Sequence, residues 1–195
     1  YYCRDNSYYQ GDPIMKYAGP MPGVGNLITA NPVLWYNQSL SVAGKFDIQN
    51  IPAFGSHFRA ILSARSDVVA TFDGVNGFFN NDSTAANYLR GFHQSGNTHA
   101  SGQGTSISFG TAPGASSPAS TFGILDIFVW NYASANTKNC RVNISHRVSA
   151  TAMSSDYFTF NWGNTAAITR ITLQTDNDPT DQFIAGSRLQ IWLYR

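Results

Sequence analysis

The chain has 195 residues, 12 of them Lys or Arg and 11 acidic, for a formal net charge of +1. That length suits one domain with a sizeable core, and 43% hydrophobic residues with so little net charge argues against disorder. Charged residues are only 12%, about half the usual share of roughly 25%. No Lys/Arg run is present to neutralise phosphates, and no apolar stretch approaches the roughly 18 residues of a spanning helix, so neither nucleic acid nor membrane is an expected partner.

Residues 1–40 differ from the rest. They hold Pro13, Pro20, Pro22 and Pro32, four of the eight prolines, with no hydrophobic period. They also hold Tyr8, Tyr9, Tyr17, Trp35 and Tyr36, too many rings for a loose linker. The expectation is an extended arm over 1–40, lying on its own surface or a neighbour's, followed by one β-domain over 41–195. The five rings are candidate interface residues, since aromatics are enriched where proteins meet. The chain begins on Tyr1, which leaves a processed terminus and a fragment both open.

From residue 41 the pattern becomes β. A strand is expected within 41–49. In 56–65, Phe58, Ala60, Leu62 and Ala64 alternate with polar residues, which puts one row inside and one outside. Short apolar runs at 68–72 and 75–79 flank Asp73–Gly74, a hairpin signal. Residues 95–121 read as long polar loops around a strand at 105–109. Segment 122–132 is apolar on both faces, as for a strand buried between layers. Segment 140–151 alternates throughout, with Cys140, Val142, Ile144, His146, Val148 and Ala150 in one row. Phe158, Phe160 and Trp162 share a face, and Ile171 and Leu173 share another. In the closing strand Leu189, Ile191 and Leu193 should be core. Trp192 and Tyr194 lie opposite them and are the first residues to test for a subunit contact.

Eight or nine strands, polar turns and no amphipathic helix predict an all-β, two-sheet antiparallel sandwich. Long connections favour a jelly-roll-like topology. The last strand should then cover an edge that would otherwise be exposed.

The chemistry-bearing residues do not form a catalytic pattern. Serines are plentiful but no G-x-S-x-G elbow occurs. His57, His93, His99 and His146 show no metal-ligand spacing. His146 sits on an apolar row and reads as a satisfied core histidine. There is no glutamate. Asp126, alone within an apolar strand, reads as a structural acid paired with an Arg or a loop. Asp176, Asp178 and Asp181 are a candidate calcium cluster, with turn formation the simpler account. Cys140 reads as a small buried thiol, with a link to Cys3 left open. No cofactor is expected. Trp130 and Trp162 are read as core.

Three stretches carry a family resemblance: "DIQNIPAFGSHFRAILSARSD" at 47–67, "FNNDSTAANY" at 79–88, and "WGNTAAITRITL" with "FIAGSRLQIWLY" within 162–194. Together they resemble the C-terminal β-domain recurring in virion proteins of tailed bacteriophages, in tail-fibre or minor structural proteins. The likeness spans 45–194 loosely. Asn81 and Arg195 stand where Gly is usual, and 1–40 has no counterpart. The resemblance implies a jelly-roll module on the virion surface, oligomeric and without enzymatic activity. It transfers no catalytic residue.

The expectation is therefore a non-enzymatic virion-surface protein of the tail-fibre, receptor-binding type. A homo-oligomer, with a trimer favoured, would contact other capsid or tail proteins and a host surface glycan. One alternative is a capsid-decoration protein clamping capsid subunits through its arm. Another is a carbohydrate-binding sandwich module, which needs a row of exposed aromatics or a loop site built from Asn, Asp and Trp. An enzyme would need two of Asp126, Asp156, Asp176, Asp178 and Asp181 within about 5–9.5 Å across a sugar.

Overall fold

The computed structural model describes residues 32–94, 97–103, 106–176 and 178–195. The sequence candidates Cys3, Tyr8, Tyr9 and Tyr17 lie outside them, as do the side chains of His93 and His99. The chain is an all-β, jelly-roll-like sandwich. Its strands are β1 (Val33–Ser39), β2 (Phe46–Ile48), β3 (His57–Ala64), β4 (Phe72–Phe79), β5 (Tyr88–Gln94) and β6 (Asn97–Gln103), followed by β7 (Ile107–Pro113), β8 (Gly123–Trp130), β9 (Lys138–Arg147), β10 (Met153–Trp162), β11 (Ile171–Thr175) and β12 (Arg188–Tyr194). The larger sheet has eight strands in the order β1-β12-β3-β8-β9-β10-β5-β6, and the smaller has four in the order β2-β11-β4-β7. Every pairing is antiparallel. The chain crosses between sheets at every connection except β5–β6, β8–β9 and β9–β10.

Alternation explains the layering. Phe58, Ala60, Leu62 and Ala64 of β3, Cys140, Val142, Ile144 and His146 of β9, and Leu189, Ile191 and Leu193 of β12 are all buried on the inner face. Each fully buried aliphatic side chain stabilises the fold by about 1.5–3 kcal/mol. The core centre is aromatic. Phe79 meets Phe58, Phe109 and Trp162 edge-on at ring separations of 6.4, 6.3 and 5.6 Å. Phe109 meets Phe160 the same way at 5.2 Å. Gly110 has φ +118° beside a register shift in the β4–β7 pair, and a Cβ there would fall 1.8 Å from Ile144 Cδ1. Only glycine fits both demands.

Several sequence expectations need correction. The described residues form twelve strands, not eight or nine. Residues 33–39, read as the end of an aperiodic arm, are β1, which covers the edge of β12. Residues 95–121, read mainly as loops, contribute β6 and β7. Asp73–Gly74 is no hairpin turn but lies inside β4. Its flanks are held straight by β7 and β11, the Asp73 carboxylate is buried and accepts from Ser66 Oγ at 2.6 Å, and a Gly74 Cβ would collide with the Asp176 carboxylate. β8 is buried on one face only, leaving Ile124 and Trp130 exposed, because the four-stranded sheet covers just one side of the larger sheet. Trp162 is core, whereas Trp130 is not. The closing strand does cover the edge of β3, yet it lies inside the sheet, with β1 outermost.

The stretches that carried the resemblance hold the connections together. Arg65 is buried and donates to four carbonyls, those of Pro118 (2.7 Å), Thr121 (3.2 Å), Ala115 (3.0 Å) and Ser117 (3.0 Å). Asp67 accepts from the Gln182 N–H at 2.7 Å. Asn80 and Asn81 take positive φ of 50° and 58°, a conformation asparagine tolerates, so the turn forms without glycine at 81. Asp82 then accepts from the Thr84 N–H (2.9 Å), the Asn87 amide (2.7 Å) and the Trp162 indole (2.8 Å). Gly186, at φ +89°, turns the chain into β12.

Candidate binding face

The outer face of the eight-stranded sheet follows from the same alternation. If Phe58, Ile127, Val129, Cys140 and Leu193 point inward, then His57, Arg59, Asp126, Phe128, Trp130, Arg141, Trp192 and Tyr194 point outward. Register lines them up. Tyr194, His57 and Trp130 are direct neighbours across β12, β3 and β8. One step along, Trp192, Arg59, Phe128, Arg141, Thr159 and Gly91 run across six strands.

The rings in these rows touch. His57 stacks on Tyr194 at 4.4 Å and lies 4.8 Å from Phe128. Phe128 and Trp130 are 4.6 Å apart. The Arg141 guanidinium lies 5.4 Å from the Trp130 ring centre and 5.7 Å from that of Phe128, within cation–π range. Burial in this stack lowers the pKa of His57, whose Nδ1 is 2.8 Å from Ser56 Oγ. Arg59 grips Asp126 through two bonds, Nε–Oδ1 at 2.6 Å and Nη2–Oδ2 at 2.8 Å. Asp126 is therefore the Arg-paired structural acid its sequence setting implied.

Beyond Trp130 the face dips into a groove of about 430 Å³ over β8, β9, β10 and β5. Trp130, Arg141, Tyr157, Thr159, Leu89 and Gly91 line it, with Asn139, Asn161 and Arg90 beside them. Gly91 opposes Thr159, so small residues occupy the position between larger ones. None of the lining residues is acidic. The Arg141 Nε is shut from solvent and has no hydrogen-bond partner among the described residues.

The predicted interface residues divide. Trp192 and Tyr194 lie on this face, half-buried. Trp35 and Tyr36, with rings 6.2 Å apart, lie on β1 at the sheet margin and pack partly on the core. Sequence reasoning missed Phe128, Arg141, Tyr157 and Thr159. Their signal was the second row of each alternating strand, once only one row is needed for the core.

The other candidates are dispersed. Asp178 pairs with Lys45 at 2.8 Å. Among the described residues no three His, Cys or acidic residues are grouped to hold a metal ion. Asp126 points outward and Asp156 is buried on the inner face, so those two acids stand on opposite sides of one sheet. Cys140 is a free, buried thiol whose pKa burial pushes up, which makes it unreactive. His146 is core as expected but not satisfied, because neither ring nitrogen has a hydrogen-bond partner among the described residues. Lys138, unremarked in the sequence, is fully buried and donates to the carbonyls of Ser134, Asn136 and Thr165 while lying over the Trp162 ring.

No family model matches the chain, and no curated protein or solved structure does so either.

Proposed function

We propose that the chain is a non-enzymatic module on the surface of a tailed-bacteriophage virion, of the tail or fibre type, used for adhesion. It works as a homo-oligomer, with a trimer favoured, and meets its partners through the open face of the eight-stranded sheet. The observation that carries this reading is the ring belt of Tyr194, His57, Phe128 and Trp130 on a face that the four-stranded sheet leaves uncovered. Contiguous aromatic surface of this kind marks a contact site. The resemblance over 45–194 supplies the virion context, and its motif residues Arg65, Asp82 and Gly186 organise the loops here.

Light scattering on the purified full chain tests the assembly, with a trimer expected. Gold-labelled antibody against the chain tests its place on intact particles. Label at the tail supports the reading. Label spread over the capsid lattice would replace it with the decoration role, and a chain absent from particles would end the virion reading.

A second reading, a carbohydrate-binding sandwich, is favoured by one feature, the groove beside Trp130 and Tyr157. The two readings are compatible if the ligand is a host surface glycan.

A further inference from the structure

The groove on the outer sheet face has a chemistry more specific than aromatic contact. The Arg141 guanidinium lines it, and none of its lining residues is acidic. The nearby Asp126 is already taken by Arg59. Arg141 is half-buried and held in place by the rings of Phe128 and Trp130, and it has no carboxylate partner among the described residues. A fixed, half-buried cation without an ion-pair partner favours an anionic acceptor on its groove side. Guanidinium matches a carboxylate with two parallel bonds.

The remaining lining residues say what carries that carboxylate. Trp130 and Tyr157 offer ring surface on which the C–H face of a pyranose can lie, and Leu89 adds an apolar wall. The Asn161 amide donates to Asn139 Oδ1 at 2.9 Å, which orients the Asn139 amide N–H groups and the Asn161 carbonyl toward other partners. Those groups, with the Thr159 hydroxyl, suit sugar hydroxyls. The volume of about 430 Å³ falls within the range of ligand sites. A peptide is less well served. The groove lies over β8, β9, β10 and β5, each paired on both sides, so no strand edge is open to a peptide backbone.

We propose that this groove binds a carboxylate-bearing sugar of the sialic or uronic acid type, with Arg141 holding the carboxylate and Trp130 and Tyr157 stacking on the ring. The proposal rests on the reading of the chain as a binding module and names the ligand class and the site.

The test is calorimetric titration of the full chain with four probes: 3′-sialyllactose, a galacturonic acid trisaccharide, lactose and a hexaglutamate peptide. At least one acidic sugar should bind saturably, and lactose and the peptide should bind more weakly. Arg141→Gln should weaken the acidic sugar about tenfold to a hundredfold, the size of a charged hydrogen bond, with Arg141→Lys falling between. Tyr157→Ala alters an exposed wall without touching the core and should weaken it as well. Thermal melts followed by circular dichroism check that each variant is folded. Failure of both acidic sugars to bind, equal binding of lactose, tighter binding of the peptide, or wild-type affinity in folded Arg141→Gln would each overturn the proposal. Neutral glycans bound on an array independently of Arg141 would overturn the acid groove yet leave an adhesion module. A chain that binds sugar acids through Arg141 but is absent from particles would keep the groove and remove the virion reading.

Discussion

The Trp162 indole donates a hydrogen bond of 2.8 Å to the Asp82 carboxylate, joining the end of β10 to the turn between β4 and β5. Trp162 is fully buried, so its N–H needs an acceptor, and the turn delivers one. Burial acts to raise the Asp82 pKa, but hydrogen bonds from Thr84, Trp162 and Asn87 outweigh it and hold the carboxyl at about 2. A carboxyl lowered in the folded state stabilises it above the ordinary value of 3.8, and that contribution is lost as pH falls towards about 2. Asp82→Asn cannot accept all three bonds. It should cost about 1–2 kcal/mol at neutral pH, allowing for solvent screening, and flatten the acid limb between those two values. Urea unfolding at a series of pH values measures both, and an unchanged acid limb would contradict the assignment.

Arg65 should matter more than any surface arginine. Its guanidinium satisfies four carbonyls of the 115–121 loop, with no carboxylate partner among the described residues. Arg65→Met keeps the stem and strands those acceptors, for an expected loss of about 3 kcal/mol. Arg65→Lys should recover only part of it, because an ammonium cannot reach both carbonyl pairs in a plane. Chemical denaturation gives the magnitude, and amide exchange over residues 114–121 should show the loop loosening first.

Lys138 is the second such anchor. It joins the loop at 134–136 to Thr165 from inside the core. Burial lowers its pKa, and three carbonyls accept from Nζ. Lys138→Met should destabilise by about 2–4 kcal/mol by leaving those carbonyls without a donor. Lys138→Arg should also be damaging, since a larger head must fit a fully buried site. Thermal melts of the two variants decide it, and near-wild-type stability for Met would show that water replaces the ammonium there.

These two residues show where sequence reading stops. Period-two alternation made the inner rows of β3, β9 and β12 legible, because burial of one face writes itself into every second residue. It also exposed Leu189, Ile191 and Leu193 as core. It could not reveal that Lys138 and Arg65 are buried, since a long cation in an alternating segment looks like a solvent-facing one. Asp73–Gly74 misled for a related reason. Local turn chemistry was real, but pairing on both flanks and the carboxylate of Asp176 overrode it. The outer face was half legible. Trp192 and Tyr194 stood out beside a clean apolar row, whereas Phe128 and Trp130 were hidden in a strand apolar on both sides. Arg141 acquires meaning only when β8 sets two rings against it.

Gly186 offers a cleaner backbone test. At φ +89° it begins the turn into β12, while a Cβ there would meet nothing closer than Phe122 at 3.4 Å. Gly186→Ala should therefore cost about 1–2 kcal/mol through backbone strain alone. The variant should keep its fold, and its melting temperature reports the loss. A larger collapse would mean that the turn has a packing role beyond its conformation.

His146 ties stability to mild acid. It lies in the β9 core row with both ring nitrogens unpartnered among the described residues, and desolvation lowers its pKa while the nearby Asp156 partly offsets this. A histidine lowered in the folded state resists a proton that the unfolded chain accepts. Stability is then complete above the ordinary value of 6.5 and falls as pH drops through it, until the folded value is reached. His57 is lowered by burial as well and adds a slope of the same sign, so the two must be separated. His146→Leu removes two unsatisfied nitrogens from the core. It should be within about 1 kcal/mol of wild type at pH 7, or more stable, and should lose part of the slope near 6.5 while the His57 share persists. The readout is the unfolding free energy of both proteins between neutral and mildly acidic pH. An identical slope would show that His146 takes up its proton as readily folded as unfolded.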